Sequence, residues 1–223
     1  MNGSKVIAVI PAYDEGPRIG DVVDGVRAQA EVVVVDDGST DDTSSIAREH
    51  GARVVRHLVN RGAGAAVATG IRRALDLGAD IIVTVDADGQ HRAEDITVVT
   101  RPVLEDEADV VIGSRFLGGI DDMPLVKRIG NHSLTWLTRL LYGVPLTDSQ
   151  SGFRALNRRA AELFELRVDR YGFCSEMVGE AARNSLRLVE VPIRSHYLDT
   201  RKGTSVADGV AIALDLLLRR FLP

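Results

Sequence analysis

Two aspartates and a glutamine stand at alternate positions after a short apolar run in the middle of the chain. The apolar run is 81–85, and Asp86, Asp88 and Gln90 follow it. Residues i and i+2 of an extended segment point to the same side, so these side chains can face one cation. Carboxylate and amide oxygens suit Mg²⁺ or Mn²⁺, and a metal with few protein ligands usually also binds substrate phosphates. The spacing predicts a divalent-cation site; the alternative is a polar turn whose aspartates cap a helix.

Acidic residues also follow the first two apolar runs of the chain. Tyr13 and Glu15 come after the first run, and Asp36 and Asp37 come directly after the second. A carboxylate at a strand end can accept hydrogen bonds from a ribose or a base edge. Tyr13 can stack on a base. For Asp36 and Asp37, an Asx turn leading into a capped helix is the competing interpretation.

Apolar runs alternate with helical patterns through the first half of the chain, and this alternation must position the acidic groups. The predicted strands are 6–10, 32–35, 53–57, 81–85 and 110–112, and the predicted helices are 17–28, 43–50, 62–77 and 93–105. Such alternation predicts the α/β class, with a single, mostly parallel central sheet and helices on both faces. Ligands of these sheets bind beyond the carboxyl ends of the strands, where all three acidic motifs fall.

The second half of the chain is less regular. It contains predicted strands at 151–156 and 188–193 and predicted helices at 125–142, 158–163, 175–185 and 206–222. No linker or repeat divides the sequence, so we expect one domain over 1–223. Residues 1–115 would form a nucleotide-type front half, about 116–205 a back half that completes the site, and 206–222 an amphipathic C-terminal helix. That helix fits either a membrane surface or a core or dimer contact.

Composition excludes several classes of protein. The 223 residues carry a net charge of −5, which argues against binding duplex nucleic acid. A lone cysteine, Cys174, excludes an internal disulfide and a four-cysteine zinc site. No apolar stretch approaches the roughly 20 residues of a membrane span, and residues 1–5 do not form a signal peptide. We therefore expect a cytoplasmic protein, at most peripheral at the inner face of the cell membrane.

Taken together in order and spacing, six motifs resemble those of family 2 glycosyltransferases, and within them the dolichol-phosphate (polyprenyl-phosphate) mannose or glucose synthases. The motifs are Pro-Ala-Tyr-Asp-Glu at 11–15, Asp-Asp-Gly-Ser at 36–39, Asn-Arg-Gly-Ala-Gly-Ala at 60–65, Asp-Ala-Asp-Gly-Gln-His at 86–91, Gly-Ser-Arg at 113–115 and Asp-Ser-Gln-Ser-Gly-Phe-Arg at 148–154. The resemblance covers about residues 5–206, and it implies that 1–115 form the nucleotide-sugar-binding half and about 116–205 the acceptor side. It implies a GT-A fold and an inverting, metal-dependent transfer from GDP-mannose or UDP-glucose to a polyprenyl or dolichyl phosphate.

The resemblance also implies roles for individual positions. The nucleotide-sugar would contact Pro11, Tyr13, Glu15, Val35, Asp37, Asp86, Ala87, Arg115, Arg201 and Lys202. The metal would be bound by Asp86, Asp88 and Gln90. The chain departs from the family pattern at Asp14, where Asn is usual, after Arg92, where a Pro is common, and at Val206, where a Lys is expected. The last departure leaves the register of the loop around Arg201 open.

The implied chemistry assigns catalytic roles to Asp88, Arg115 and Asp148. The metal at Asp88 and the Arg115 guanidinium would neutralise charge that develops on the leaving diphosphate. An anionic lipid phosphate needs no strong base, whereas a hydroxyl acceptor would need one, with Asp148 the first candidate and Glu176 the second. Asp148 could instead be a structural partner of Arg154.

Two arginines and two other activities complete the sequence-based expectations. Arg128 and Arg154 are candidates for anchoring the acceptor phosphate. A soluble saccharide or small-alcohol acceptor, and a non-catalytic nucleotide-sugar-binding module, remain alternatives. A nucleotidyltransferase is disfavoured because its Gly-rich start is missing after the first strand. A homo-oligomer remains open.

Overall fold

A twisted sheet forms the centre of the structure, a computed structural model that describes residues 3–121, 123–167, 172–196, 209, 211–214 and 216–217. The strands of the described residues are β1 (Val6–Ala12), β2 (Glu31–Asp36), β3 (Arg53–Arg56), β4 (Ile81–Thr84), β5 (Val110–Ser114), β6 (Ile120–Asp121), β7 (Arg154–Asn157), β8 (Leu188–Pro192) and β9 (Ser195–His196). Seven of them form the main sheet in the order β3-β2-β1-β4-β7-β5-β8, and β6 pairs with β9 separately. In the main sheet only β7 runs antiparallel to its neighbours.

Helices cover both faces of the main sheet. They are α1 (Gly16–Arg27), α2 (Thr43–Glu49), α3 (Ala63–Asp76), α4 (Asp95–Leu104), α5 (Arg115–Gly118), α6 (Leu125–Tyr142), α7 (Arg158–Leu163) and α8 (Phe173–Arg183). Side chains alternate along β1, so Ile10 packs with Ile19 of α1 on one face while Val9 packs with Ile71 of α3 on the other. The predicted α/β class with a mostly parallel sheet is therefore confirmed.

Helix α3 lies unusually close to the sheet. A Cβ atom added at Gly70 would stand 2.1 Å from Cγ1 of Val9 in β1, so no larger residue fits there without movement. This contact places the N-terminal end of α3 beside the carboxyl ends of β1 and β2, where the acidic motifs are.

The observed elements differ from the predicted ones mainly at their ends. Strand β1 runs on to Ala12, and β7 begins at Arg154 rather than at 151. The hydroxyl of Thr84 donates to the Gly152 carbonyl at 2.6 Å. In the first part of the predicted strand 151–156, a side-chain hydrogen bond thus stands where a strand would have a backbone one. Strands β7 and β8, from the predicted acceptor side, lie in the same sheet as β1 to β5. The short elements α5, β6 and β9 were not predicted.

Part of the predicted C-terminal helix packs on α6. Residues 211–214 and 216–217 are helical, and Ile212 and Leu216 are buried against Leu134 of α6. Leu214, by contrast, is 56% exposed. The rest of the predicted 206–222 helix lies outside the described residues. Among the described helices, none combines the length and the apolar character needed to cross a bilayer.

Candidate functional site

A cleft of about 1430 Å³ opens at the carboxyl ends of β1, β2 and β4 and extends along α6. Most of the residues predicted to bind nucleotide-sugar or metal line it: Pro11, Tyr13, Glu15, Asp37, Asp86, Ala87, Asp88, Gln90 and Arg115. The parallel register explains this, since Ala12 of β1 pairs with Asp36 of β2 and both strands end at the same edge. The predicted Arg201 and Lys202 lie outside the described residues.

Val35 does not belong to this cleft. Its side chain is fully buried in the core beneath the sheet, next to Val9 and α3. The Val35 side chain is therefore not placed to contact a nucleoside, and the predicted role of Val35 in the nucleoside pocket stays a prediction that only its backbone could fulfil. Successive side chains of a strand point to opposite faces, and Val35 points into the apolar layer under α3 rather than beyond the strand end.

The two aspartates after β2 have different surroundings. Asp36 is fully buried and accepts hydrogen bonds from the Ser39 amide at 2.7 Å and from the Ser44 hydroxyl. This is a structural role like the competing interpretation above, but the bond to the backbone spans three residues rather than the two of an Asx turn. Asp37 instead lines the cleft. It accepts hydrogen bonds from the Gly62 amide at 2.6 Å, and its Oδ1 lies 2.6 Å from Nδ1 of His57. Asp37 thus fixes the loop that enters α3 while facing the cleft.

The loop after β1 is anchored to the loop after β2. Asp14 adopts a left-handed conformation with φ 52°, which Asn and Asp tolerate better than other non-glycine residues. Its carboxylate accepts the Thr40 amide at 2.7 Å, and the Glu15 amide donates to the Thr43 hydroxyl at 2.9 Å. Asp in place of the usual Asn therefore keeps the loop geometry. Tyr13 remains 43% exposed at the cleft.

Asp86 is held from two sides. Its Oδ2 lies 3.2 Å from Nε2 of His91, and the His91 ring stacks on Phe153 with centroids 5.1 Å apart. On the other side, Gly152 leaves so little room that an added Cβ would lie 2.6 Å from Oδ1 of Asp86. Burial alone would raise the pKa of Asp86, but the His91 hydrogen bond and nearby positive charge outweigh it and lower that pKa.

Asp88 has the opposite electrostatic surroundings. Burial in the cleft and the adjacent negative charge of Asp86 raise the pKa of Asp88 to about 6. Its Oδ1 accepts the Gln90 backbone amide at 3.0 Å. Two carboxylates that repel each other at one end of a cleft are a site where a cation would be stabilised.

The donor set at Asp86, Asp88 and Gln90 fits a hard divalent cation. The oxygens are carboxylate and amide oxygens, and all three residues line the same cleft. Among the described residues, no group of three or more His, Cys, Asp or Glu side chains could enclose a metal by itself. The set would suit Mg²⁺ or Mn²⁺ that takes its remaining ligands from outside these three residues.

Arg115 is a cation in the described lining of the cleft, and Asp148 holds it. Nε and Nη2 of Arg115 donate to Asp148 at 2.7 Å and 2.9 Å. The Arg115 side chain is 11% exposed, whereas Asp148 is fully buried. Glu190 of β8 fixes the turn in place by accepting the Thr147 and Asp148 amides at 2.7 Å and 2.8 Å.

This geometry does not fit Asp148 as a general base. The carboxylate is not on the cleft surface, and both of its oxygens accept hydrogen bonds from Arg115. Burial by itself would raise the pKa of Asp148, but the Arg115 charge and hydrogen bonds keep it below its usual value. Asp148 orients Arg115 and is a positioning residue. Glu176, the second candidate base, is 4% exposed and accepts the Arg167 amide at 2.9 Å.

The predicted acceptor contact of Arg154 is also wrong. Its side chain is fully buried, and its guanidinium donates to the carbonyls of Ser151 at 2.8 Å, Cys174 at 2.7 Å and Ser149 at 2.7 Å. These bonds tie the 149–151 turn to α8 and leave the group facing backbone rather than the cleft. The suggested pairing of Arg154 with Asp148 is replaced by Arg115 with Asp148.

Helix α6 supplies a wall of the cleft that sequence reasoning missed. Val126, Ile129 and Trp136 line the cleft and are 65%, 57% and 63% exposed. Lys127 lines it as well, whereas Arg128 is exposed on the same helix outside the lining. The apolar spacing of α6 was visible in the sequence, but the spacing alone does not tell which apolar residues remain uncovered.

Comparison with known proteins gives consistent results. The model of the family described as Glycosyl transferase family 2 matches residues 7–164. A UDP-N-acetylglucosamine–dolichyl-phosphate N-acetylglucosaminyltransferase of Methanococcus voltae is 37% identical over 98% of this chain and 97% of its own length. An undecaprenyl-phosphate mannosyltransferase of Micrococcus luteus is 32% identical over 92% and 88%.

A solved structure extends the likeness to the fold. Glucosyl-3-phosphoglycerate synthase from Mycobacterium tuberculosis, crystallised with Mn²⁺, UDP and phosphoglyceric acid, superimposes with a TM-score of 0.75 at 20% identity. The alignment covers 99% of this chain and 80% of that one. At this identity the likeness concerns the fold alone, and it confirms the expected GT-A architecture. With the family match over most of its length, this chain belongs to glycosyl transferase family 2.

Proposed function

We propose that this enzyme transfers a sugar, with inversion, from a nucleotide-diphosphate sugar to a polyprenyl phosphate. The observation that carries the proposal is the two-part cleft, polar at the strand ends and apolar along α6. The polar part presents Asp37, Asp86 and Asp88, and the apolar part presents Ile129 and Trp136. A charged nucleotide and a lipid phosphate need these two surroundings side by side.

The polar part is suited to the donor. Tyr13 and Glu15 stand where a base can stack and pair, and Asp37 is fixed at the end of β2. Asp88 and Gln90, with Asp86, would bind Mg²⁺ or Mn²⁺, which when present neutralises charge on the diphosphate leaving group. Arg115 adds a second positive group at the same end. Its orientation by Asp148 means that it need not reorganise as charge develops.

Neither of the two carboxylates predicted as bases reaches the cleft, and this favours an acceptor that needs no base. Asp148 and Glu176 are buried, and neither lines the cleft. A hydroxyl acceptor must lose a proton during transfer, whereas a lipid phosphate oxygen is already anionic. The acceptor phosphate would thus attack C1 of the sugar directly, and the nucleoside diphosphate would leave. Lys127 lines the cleft near the apolar wall and can attract the acceptor phosphate.

The same helix favours contact with a membrane surface. Helix α6 has no acidic residue, and it carries Lys127, Arg128 and Arg139 together with the exposed Trp136 and Leu140. An exposed apolar face flanked by cations suits the interface of an anionic bilayer. We propose a peripheral location at the inner face of the cell membrane, where a polyprenyl phosphate can enter the cleft along α6. Binding to anionic but not neutral vesicles is the expected result.

The donor is to be determined with a panel of three. GDP-mannose and UDP-glucose are the donors expected from the sequence, and UDP-N-acetylglucosamine appears in the name of the 37% identical relative. Each is supplied with undecaprenyl phosphate in detergent, with Mn²⁺, Mg²⁺ or EDTA, and the lipid product is extracted and counted. We expect product from at least one donor, and none in EDTA.

A matched pair of variants on α6 tests the acceptor. Ile129→Ser changes the cleft wall, while Leu140→Ser changes a residue 65% exposed on the same helix outside the lining. Loss of one apolar contact of this size is worth about 1.5–3 kcal/mol, so Ile129→Ser should raise KM for the lipid about 10-fold or more. KM for the donor should not change in either variant.

The same assays can detect the two alternative functions. Glycosylation of a soluble saccharide or of phosphoglyceric acid, without any lipid product, would establish the soluble-acceptor alternative. Donor binding without product from any acceptor would establish a non-catalytic module. Equal KM effects of Ile129→Ser and Leu140→Ser would contradict a lipid site at the cleft wall and leave only general membrane contact.

A further inference from the structure

Neither the predicted metal site nor the packing of the fold explains the surroundings of the His91 ring. Its side chain is 5% exposed, and it reaches Asp86 through Nε2 at 3.2 Å. The other ring nitrogen, Nδ1, is buried and has no hydrogen-bond partner among the described residues. A buried polar atom without a partner costs about 1–3 kcal/mol of folding stability. The presence of such an atom beside the cleft therefore needs an explanation.

The contact with Asp86 determines which nitrogen carries the proton. An ionised carboxylate only accepts hydrogen bonds, so Nε2 of His91 must be the N–H donor. In the neutral ring Nδ1 is then an acceptor. The ring cannot easily turn away, because it stacks on Phe153 at an interplanar angle of 14°.

A second buried group without a partner lies across from it. The hydroxyl of Ser195, in β9, is 1% exposed and also has no hydrogen-bond partner among the described residues. Ser195 and His91 form an isolated antiparallel β-bridge. Residues directly opposite in such a bridge place their side chains on the same side, within about 4.5–5.5 Å at Cβ. A hydroxyl can donate, and Nδ1 can accept.

We propose that His91 is a positioning residue for Asp86 and that Ser195 fixes its tautomer. In this relay one water accepts a hydrogen bond from the Ser195 hydroxyl and donates one to Nδ1 of His91. On the other side of the ring, Nε2–H donates to Oδ2 of Asp86. Asp86 is thereby confined between the ring and the Gly152 backbone, with its carboxylate directed to the cleft. The function of this relay rests on the proposed glycosyl transfer, but its geometry can be tested without turnover.

The first test observes the ring in the protein without ligand. Long-range ¹H–¹⁵N spectra of the histidine rings distinguish the two neutral tautomers, and His91→Phe identifies the His91 signals among the 5 histidines. We expect Nε2 to carry the proton and Nδ1 to be bare. In Ser195→Ala the Nδ1 signal should shift, and in Ser195→Thr, which keeps the hydroxyl, it should not. A proton on Nδ1, or an Nδ1 signal indifferent to Ser195→Ala, would overturn the relay.

The second test separates positioning from packing with two substitutions at one site. His91→Phe keeps the stack on Phe153 and removes the donor to Asp86, whereas His91→Gln keeps an amide donor and removes the ring. A positioning role predicts that His91→Phe lowers kcat/KM about 10–100-fold. It also predicts that thermal stabilisation by UDP, or by GDP if that is the nucleotide that the wild type binds, needs about 10–100-fold more Mn²⁺. His91→Gln should lose less on both measures.

A purely structural ring predicts the reverse ranking. His91→Phe would then resemble the wild type in both measurements, and His91→Gln would lower the unfolding temperature and the activity together. That result would overturn the proposal. If the proposed transfer itself proves wrong, the tautomer and the Mn²⁺–UDP stabilisation still decide whether His91 positions Asp86.

Discussion

Replacing Gly152 by alanine should displace the carboxylate of Asp86 and leave the fold intact. A Cβ at this position would lie 2.6 Å and 2.8 Å from the two carboxylate oxygens. Ordinary contacts between non-bonded heavy atoms lie near 3.5 Å, so the carboxylate must move by nearly 1 Å. Asp86 has 40% of its side chain exposed and can turn. Gly152 does not have a positive φ, so alanine fits its backbone conformation.

The expected magnitude follows from how sharply transfer depends on geometry. A misplacement of about 1 Å at a reacting centre can cost about 100-fold, which is about 2.7 kcal/mol. We therefore expect kcat/KM to fall about 100-fold in Gly152→Ala. The urea unfolding free energy should change by less than about 1 kcal/mol, because a half-exposed side chain absorbs the clash.

A double-mutant cycle with Asp86→Ala shows whether the effect acts through that carboxylate. The readout is the affinity for UDP or GDP, whichever the wild type binds, in the presence of Mn²⁺. This affinity stays measurable when turnover is lost. Once the Asp86 carboxylate is absent, Gly152→Ala should have no further effect. Full activity of Gly152→Ala, or an undiminished effect in the Asp86→Ala background, would refute the inferred confinement of Asp86.

Three further substitutions test the framework around the site. The ion pair with Arg187 lowers the pKa of Asp109 to about 2. The contribution of ionised Asp109 to folding stability is therefore complete above about pH 4 and is lost as the pH falls towards 2. Because Arg187 is 47% exposed and solvent screens the pair, we expect Asp109→Asn to lower the unfolding free energy by about 1 kcal/mol or less at neutral pH. The difference in urea unfolding free energy between the wild type and Asp109→Asn should become small near pH 2. Gly70→Ala should lower the unfolding free energy by about 1–3 kcal/mol through overpacking of α3 on β1, and a thermal midpoint like the wild type's would contradict the close contact. Asp148→Asn should destabilise the fold by about 3–5 kcal/mol because it removes the buried charge that pairs with Arg115. If Asp148 were instead a free general base, the same substitution would lower kcat with little loss of stability.

Residues that follow a strand directly were the ones most accurately located from sequence. Asp37, Asp86 and Asp88 reach the cleft because parallel strands that alternate with helices all end at one edge of the sheet. This rule depends only on local periodicity and chain order. It fails for Val35, which lies one residue inside the strand end, because the rule locates the edge and not the direction of each side chain.

The roles of Asp148 and Arg154 could not be assigned from sequence because their partners are distant in the chain. Asp148 pairs with Arg115, 33 positions away, and Arg154 bonds a carbonyl 20 positions away. Both charged groups are fully buried, and a buried charge needs partners that satisfy it. A motif shows the type of residue and leaves open whether its charge serves a ligand or a backbone carbonyl.

The distribution of charge in the cleft explains why metal and nucleotide should bind together. Its described lining includes the carboxylates of Glu15, Asp37, Asp86 and Asp88. Arg115 is one of the described cations there, and Asp148 already offsets its charge. A diphosphate entering this cleft alone would meet these carboxylates, and burial together with the charge of Asp86 already raises the pKa of Asp88 to about 6. A divalent cation would reverse that balance, so we expect metal to raise the affinity for the nucleotide and the nucleotide to raise the affinity for metal by the same factor.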